Sequence, residues 1–280
     1  MKIAIIVSTK DPAGMNINQR LLESRKFKET EENFDGHAVY SYLCARLYTT
    51  DTDSINCEDI DKRIAEDFDA DIFIFATKHK SAAGIKSLSV HSPGNWSKAE
   101  HGGKDRRLCI APASYLKFAL LKLDETNQQK NLGFEVIQEC THHGPYLEKP
   151  CMFIEIGSDE SAWQDKRAGE AIAETLLHMI ESEQKGKIPK CRAVFGIGGL
   201  HHTPEISKVV RRTEYAAGHT CPKYMLEHLD EGMIRQALEK TAEKVELVVL
   251  DWKGLKENKQ KVLDLLKKLG LGYKQSTKMY

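Results

Sequence analysis

The stretch CMFIEIGS, Cys151–Ser158, is an almost unbroken apolar run with the length of one β-strand. Runs without polar alternation predict strands that are covered on both faces, as in parallel sheets flanked by helices. The chain contains five further runs of this kind, which are Lys2–Thr9, Asp69–Thr77, Arg107–Pro112, Cys191–Gly199 and Lys244–Trp252.

Helical periods lie between several of these runs. Apolar residues recur at three-to-four spacing in Ser161–Gln184, where Ser161 and Gln164 match a capping box. Thr203 is the expected N-cap of a second helix, with Pro204 at its first helical position. Two more amphipathic helices are predicted at Asp230–Lys244 and Asn258–Gly270. This alternation predicts an α/β fold with a mixed, mostly parallel sheet and helices on both faces.

The chain carries no clear domain boundary. No linker rich in Pro, Gly or Ser is present, so we expect one domain over residues 1–280. The range 77–141 is less regular and is expected to form a smaller lobe inserted in the main sheet. His37–Thr50 alternates between apolar and polar residues, which predicts a strand at an edge or on a half-exposed sheet.

Composition is that of an ordinary globular protein, with 280 residues of which 41% are hydrophobic and 29% charged. No apolar run approaches the ~20 residues of a membrane-spanning helix, and the start MKIAIIVSTKD is more typical of a first strand than of a signal peptide. The seven cysteines are scattered without CxxC spacing. They therefore favour a reducing cytoplasm over a disulfide framework or a thiolate zinc site.

Formal net charge is zero. A protein that binds RNA through phosphates usually has a basic excess, so any RNA partner must be held by a local basic patch. Three segments are candidates, although each also fits an ordinary solvated face, and they are Gly102–Arg107, Ser207–Arg212 and Lys253–Lys268.

Histidines follow the predicted strands at several places along the chain. In open α/β sheets, ligands bind beyond the carboxyl ends of the strands, so we expect these imidazoles to gather at one rim. One such histidine is commonly a hydrogen-bonded loop residue, but the set suits proton transfer or metal ligation. There is no HExxH or His-x-His pair, so a metal site would need ligands from distant segments. The residues are His79, His91, His142, His143, His201, His202 and His219.

Three other features bear on a site. Glu155 lies inside an apolar strand, where a buried carboxylate needs a partner or a chemical use. Gly198 and Gly199 lack the spacing of a dinucleotide loop, and their N–H groups either receive an oxyanion or simply form a tight turn. Asn95 and Trp96 belong to a loop of binding character, and the indole either stacks on a base or is core.

Five stretches occur together in one order: STKDPAGMNI, KHKSAAGIKSLSVHSPGN, THHGPYLEKPCMFIEIGSDESAW, GIGGLHHTP and GHTCPKY. Together they make the chain resemble the archaeal and plant type of D-aminoacyl-tRNA deacylase. The resemblance implies a phosphorylase/hydrolase-like fold and hydrolysis of the ester between a D-amino acid and the 3′-terminal adenosine of tRNA. It also implies Zn²⁺, a tRNA partner, a cytoplasmic monomer, and neither a membrane nor a DNA partner. Two details depart from the family pattern: His202 stands where an aromatic residue is common, and AAGIK is less polar than usual.

The resemblance gives the candidate residues roles. His142 or His143, oriented by Glu155, is expected to act as general base or metal ligand, and zinc is expected on His142, His143 and His201. The other residues expected to take part in catalysis are His79, Gly198 and Gly199. The residues expected to bind substrate are His91, Asn95, Trp96, His201 and His219.

Two rival functions remain at this point. A zinc-dependent peptidase or amidohydrolase of the same fold type would cleave D-aminoacyl esters regardless of tRNA. A non-catalytic RNA-binding module would keep the basic patches and tolerate loss of the histidines. If the chain is the deacylase, selectivity is expected to come from a backbone wall that rejects L-residues, with an open side for many D-side chains.

Overall fold

The computed structural model describes residues 1–65, 67–81 and 84–280, so Ala82 and Ala83 of the AAGIK segment lie outside the described residues. Eight strands form the larger sheet: β1 Ile3–Ser8, β2 Lys28–Phe34, β3 His37–Tyr42, β4 Ala45–Thr50, β5 Ile72–Lys80, β6 Ser87–His91, β7 Glu135–Gln138 and β8 Cys151–Ser158. Four strands form the smaller sheet: β9 Arg192–Ile197, β10 Tyr215–Cys221, β11 Val245–Leu250 and β12 Tyr273–Gln275.

The strand order of the larger sheet is β2-β3-β4-β1-β5-β8-β6-β7, and that of the smaller sheet is β10-β9-β11-β12. In the larger sheet, β4, β1, β5 and β8 run parallel, whereas β6 is antiparallel to β8 and β2–β4 form antiparallel pairs. All pairs in the smaller sheet are parallel. The predicted mixed, mostly parallel α/β fold is confirmed, and the chain divides its strands between two sheets.

Eight helices accompany the sheets within the described residues: α1 Pro12–Glu23, α2 Ile60–Ala65, α3 Ala113–Gln129, α4 Glu160–Trp163, α5 Lys166–Gln184, α6 Pro204–Arg212, α7 Glu231–Glu239 and α8 Lys259–Lys268. Buried apolar residues of α1, α3 and α5 form one core with the larger sheet. Those of α7 and α8 form a second core with the smaller sheet. Among residues 1–65, 67–81 and 84–280, no helix has both the length and the apolar character needed to cross a membrane.

Five of the six apolar runs are strands, but the prediction for Arg107–Pro112 is wrong. Its N–H groups bond to separate segments instead of one neighbouring strand. The amide of Leu108 donates to the Gln236 side chain, and that of Cys109 donates to the Pro93 carbonyl. The segment thus forms isolated bridges between parts of the fold.

The predicted helix Ser161–Gln184 is two helices, α4 and α5. Their N-caps are Asp159 and Asp165, whose carboxylates accept from Ala162 and Arg167 amides, so the capping box expected at Ser161 is wrong. The predicted start of the next helix at Pro204 is confirmed, because α6 begins there.

Thr203 occupies the N-cap position of α6, but its side chain makes no capping hydrogen bond to the helix. Its hydroxyl donates to the Gln138 carbonyl at 2.6 Å instead of capping the helix.

The alternating segment His37–Thr50 is a hairpin. β3 is half-exposed as expected, but β4 is largely buried between β3 and β1, and β2 takes the edge. The smaller lobe expected at 77–141 stays a prediction, although β6 and β7 from this range pair within the larger sheet.

Candidate active site

Glu155 is one of two buried carboxylates at the centre of the candidate site. It projects from the middle of β8 and is 2% exposed. Its Oε1 accepts a hydrogen bond from Thr77 Oγ1 at 2.7 Å and lies 3.7 Å from His91 Nε2. Its Oε2 lies 3.6 Å from His79 Nδ1. The register that pairs Thr77 with Glu155 places the ends of β5 and β6 around this carboxylate.

Glu139 is the second buried carboxylate and directly follows β7. Its Oε2 lies 2.9 Å from His201 Nε2 and 3.6 Å from His142 Nε2. Its Oε1 lies 3.3 Å from His79 Nδ1. Because His79 approaches both carboxylates, Glu139 and Glu155 belong to one connected cluster.

The imidazoles pack directly against each other. The ring centroids of His91 and His142 are 4.1 Å apart, and those of His142 and His143 are 4.3 Å apart. His201, from the loop after β9, is 4.3 Å from His142. The structure therefore brings together five of the seven histidines expected at one rim, which are His79, His91, His142, His143 and His201. The His202 ring lies 5.6 Å from that of His79 at the margin of this group, and His219 lies apart from it.

Backbone carbonyls define the tautomers of two rings. His142 Nδ1 lies 2.9 Å from the Cys140 carbonyl, and His143 Nδ1 lies 2.6 Å from the Gly144 carbonyl. A carbonyl accepts but does not donate, so each Nδ1 carries the proton and each Nε2 presents a lone pair. The His142 lone pair faces Glu139 Oε2 at 3.6 Å, and a cation between the two atoms would satisfy both.

Burial decides the pKa of the His142 and His143 pair. It lowers the pKa of His142 well below the ordinary value, and positive charge on the neighbouring imidazoles lowers it further. Burial likewise lowers the pKa of His143 to about 4. Both rings are therefore neutral near pH 7.

Close hydrogen-bonded and charged partners outweigh burial at two other groups. Burial lowers the pKa of His201, but its contacts with Cys140 and Glu139 outweigh burial and raise the pKa to about 11. Burial raises the pKa of Glu155, but its contacts with the neighbouring imidazoles hold that pKa well below its usual range. The site thus keeps its acids ionised inside the protein.

The cluster opens into a cavity of about 600 Å³. The cluster residues in its wall are His79, His142, His143, Glu155 and His201. The lysines in its wall are Lys78, Lys80 and Lys98. A volume of this size is typical of small-molecule and cofactor sites. The arrangement has room for a substrate beside groups that transfer protons.

The donor set fits a metal ion. The candidate ligand atoms of one group lie within 4.8 Å of one another, and this group is His79, Glu139, His142 and His201. His79 Nε2 and both ring nitrogens of His91 are buried and have no hydrogen-bond partner among the described residues. Histidine nitrogens and a carboxylate are ordinary zinc donors. His143, expected as a ligand beside His142 and His201, instead groups with His91 and His142.

Four expected site residues do not line this cavity. His91, expected to bind substrate, is fully buried beside Glu155. His219 is fully buried in β10, with Thr141 Oγ1 at 3.0 Å from its Nδ1 and the Lys240 carbonyl at 3.0 Å from its Nε2, so it has no accessible nitrogen for substrate. The Gly198 amide donates to the Cys221 carbonyl at 2.8 Å, which occupies the N–H expected to receive an oxyanion. Gly199 forms the same turn, with φ at +85°.

Asn95 and Trp96 do line the cavity, but the polar groups of both side chains are hydrogen-bonded to backbone carbonyls. The Asn95 amide donates to the Gly102 carbonyl at 2.9 Å. Trp96 is 2% exposed and donates from its indole to the Thr141 carbonyl at 3.0 Å. Trp96 is therefore core, which was the alternative to stacking on a base.

Sequence reasoning missed Glu139 and Tyr224. Glu139 is an acidic residue directly after β7, and its position at a strand end is a usable signal. The Tyr224 hydroxyl lies 3.1 Å from His201 Nδ1, a contact between distant segments that no local pattern indicates.

Comparisons with known proteins agree with one another. Residues 66–274 match the family model described as D-aminoacyl-tRNA deacylase. D-aminoacyl-tRNA deacylase of Thermococcus onnurineus is 40% identical over 274 residues, covering 96% of this chain and 98% of that protein. The Methanosarcina acetivorans protein of the same name is 34% identical over 278 residues, covering 96% and 91%.

A crystal structure described as a conserved protein of unknown function has a TM-score of 0.89 at 30% identity, covering 99% of this chain and 96% of that one. The similarity to these proteins thus covers nearly the whole chain in both sequence and fold. This chain belongs to the D-aminoacyl-tRNA deacylase family.

Proposed function

We propose that the chain hydrolyses the ester between a D-amino acid and the 3′-terminal adenosine of tRNA. One observation carries the proposal: in a chain of this family, four of the clustered imidazoles and the carboxylate of Glu155 line one cavity, with the buried His91 and Glu139 directly against them. An aminoacyl ester is already activated, so the site needs only to position water, accept its proton and stabilise an oxyanion. We further propose that the chain acts as a cytoplasmic monomer.

His143 is the proposed general base. Its Nδ1 proton is held by the Gly144 carbonyl, so its Nε2 is the atom that takes a proton from water. The ring packs edge-on against His91, at 4.8 Å between centroids, and His91 in turn lies beside Glu155. Glu155 thereby orients the base through His91.

Zinc is the proposed metal, held by His79, Glu139, His142 and His201. When bound, it would supply Lewis-acid polarisation and lower the pKa of a bound water toward about 7. Glu139 contributes charge balance, because it contacts three of these imidazoles.

The tRNA backbone is proposed to meet Lys80 and Lys98, which are exposed side chains at the cavity. The net charge of the chain is zero, so local cations must attract phosphates. These two lysines suit a substrate whose ester enters the cavity while its nucleic acid remains outside.

The proposal is tested with D-Tyr-tRNA, L-Tyr-tRNA and D-tyrosine ethyl ester, each with and without a metal chelator. We expect release from D-Tyr-tRNA alone and its loss with the chelator. His142→Ala should slow release by at least about 100-fold, whereas His178→Ala, on the exposed side of α5, serves as the matched control. Equal cleavage of the ethyl ester would favour a general hydrolase, and binding without release would favour an RNA-binding module.

A further inference from the structure

Tyr224 is an exposed aromatic side chain at the cavity that holds the histidine cluster. The residue is 46% exposed, although its hydroxyl lies 3.1 Å from His201 Nδ1 and 3.4 Å from the Cys140 sulfur. Its hydroxyl end is therefore fixed at the cluster while much of the side chain remains accessible. Tyr224 and its neighbour Met225 both line the cavity.

The other large aromatic residues of the cavity wall are closed to a ligand. Phe153 is fully buried and stacks on Phe75 at 4.8 Å between centroids. Trp96 is buried and lies 5.8 Å from Phe195 in a stacked arrangement. Among the phenylalanine, tyrosine and tryptophan residues that line the cavity in the described chain, Tyr224 is thus the one that offers an accessible ring.

We infer that Tyr224, with Met225 beside it, is the stacking platform for the terminal adenine of tRNA. This inference rests on the proposed function. The terminal base is the same in every substrate, whereas the amino-acid side chain varies, so a ring fixed at one end suits the base. Aromatic rings bind unpaired bases by stacking, and a thioether adds a polarizable apolar contact. Because the hydroxyl touches His201, a base on this ring would bring its ribose and ester to the cluster.

The test measures binding of two uncharged tRNAs that differ at one group. One ends in CCA, and the other has the same sequence but a terminal ribose without a base. The wild-type chain should bind the first about 5- to 150-fold more tightly, the range expected for one stacked base. Tyr224→Leu should bring this ratio close to one.

Two further variants test whether the binding ratio depends on the aromatic ring of Tyr224 itself. Tyr224→Phe keeps the ring and loses the hydroxyl, so it should keep the ratio. Tyr273→Leu removes a tyrosine that is 43% exposed in β12, outside the cavity wall, and should also keep it.

The inference is overturned if Tyr224→Leu keeps the wild-type ratio, if the wild type binds both tRNAs equally, or if Tyr224→Phe loses the ratio as Tyr224→Leu does. Melting curves confirm that each variant is folded before binding is measured. Failure of the proposed function would appear separately, as absence of D-tyrosine release by the wild type, because uncharged tRNA contains no ester.

Discussion

Each buried carboxylate of the site contacts more than one imidazole. Glu139 lies within 3.6 Å of nitrogens from His79, His142 and His201, which reach it from three segments of the chain. Removing a partner from a buried charge network costs several kcal/mol, because the remaining charges lose compensation. One carboxylate thus holds the charge balance and the positions of three rings.

Glu139→Gln should therefore disable the site while keeping the shape of the side chain. We expect deacylation of D-Tyr-tRNA to fall by about 10- to 100-fold, the effect of changing groups that support a catalytic metal site. Initial rates with D-Tyr-tRNA measure it, and bound zinc per chain gives a second readout. Glu174→Gln, on the exposed side of α5, is the control. Near-wild-type rates and zinc content in Glu139→Gln would exclude Glu139 from the active site.

His219 should make folding sensitive to acid. Burial lowers its pKa to about 4 from an ordinary 6.5, so the unfolded chain takes up this proton first as pH falls. Its contribution to stability is complete above pH 6.5 and is lost as pH falls toward 4. Between pH 7 and 5 the loss should be about 2 kcal/mol.

Urea unfolding of the wild type and of His219→Gln at both pH values measures this contribution. The variant should be less stable at pH 7, because it loses buried hydrogen bonds, but its free energy of unfolding should fall less on acidification. An identical pH dependence in both proteins would contradict the assignment.

Among the elements, the loop between β9 and α6 carries His201 and is shaped by close backbone contacts. A Cβ at Gly254 would lie 2.8 Å from the Gly199 Cα, and the Gly198 φ of +100° is in the region that favours glycine. The turn can therefore pack in this position only with glycine at Gly254.

Gly254→Ala should displace this turn and move His201 away from Glu139. We expect at least about a 10-fold loss of deacylation, because small displacements of catalytic groups are costly, and about 1–3 kcal/mol lower stability. Gly272→Ala is the matched control, because no heavy atom lies within 4 Å of the Cβ it would add. Equal activity of both variants would show that the turn does not position His201.

Several elements have a local pattern strong enough to be predicted from the sequence. Buried strands such as β1 and β8 have continuous apolar runs, and their bounds were close to the observed ones. Helix α3 lies in the range 77–141, where the sequence analysis predicts no helix although Leu116, Leu120 and Leu123 recur at helical spacing. The histidines could be expected to converge, but contacts such as Glu139 with His201 depend on tertiary packing and have no local signal.

At the scale of the whole molecule, the site joins the two sheets. His79 lies near the end of β5, and Glu139 and His142 follow β7, both in the larger sheet, whereas His201 follows β9 of the smaller one. An ion held by all four residues would bind the folded chain and not the unfolded one, so it would stabilise the packing of one sheet against the other.

Zinc should accordingly raise the melting temperature of the metal-free chain. At about 100 times the dissociation constant, binding adds about 2.7 kcal/mol to stability, which corresponds to about 5–10 °C for a chain of this size. His201→Ala removes the ligand from the smaller sheet, so its shift should fall below half that of the wild type, whereas His178→Ala should retain the full shift. Calorimetry of the three metal-free proteins with added zinc measures this. A wild type that melts at the same temperature with and without zinc would refute the four-residue site, and an undiminished shift in His201→Ala would confine the ion to the larger sheet.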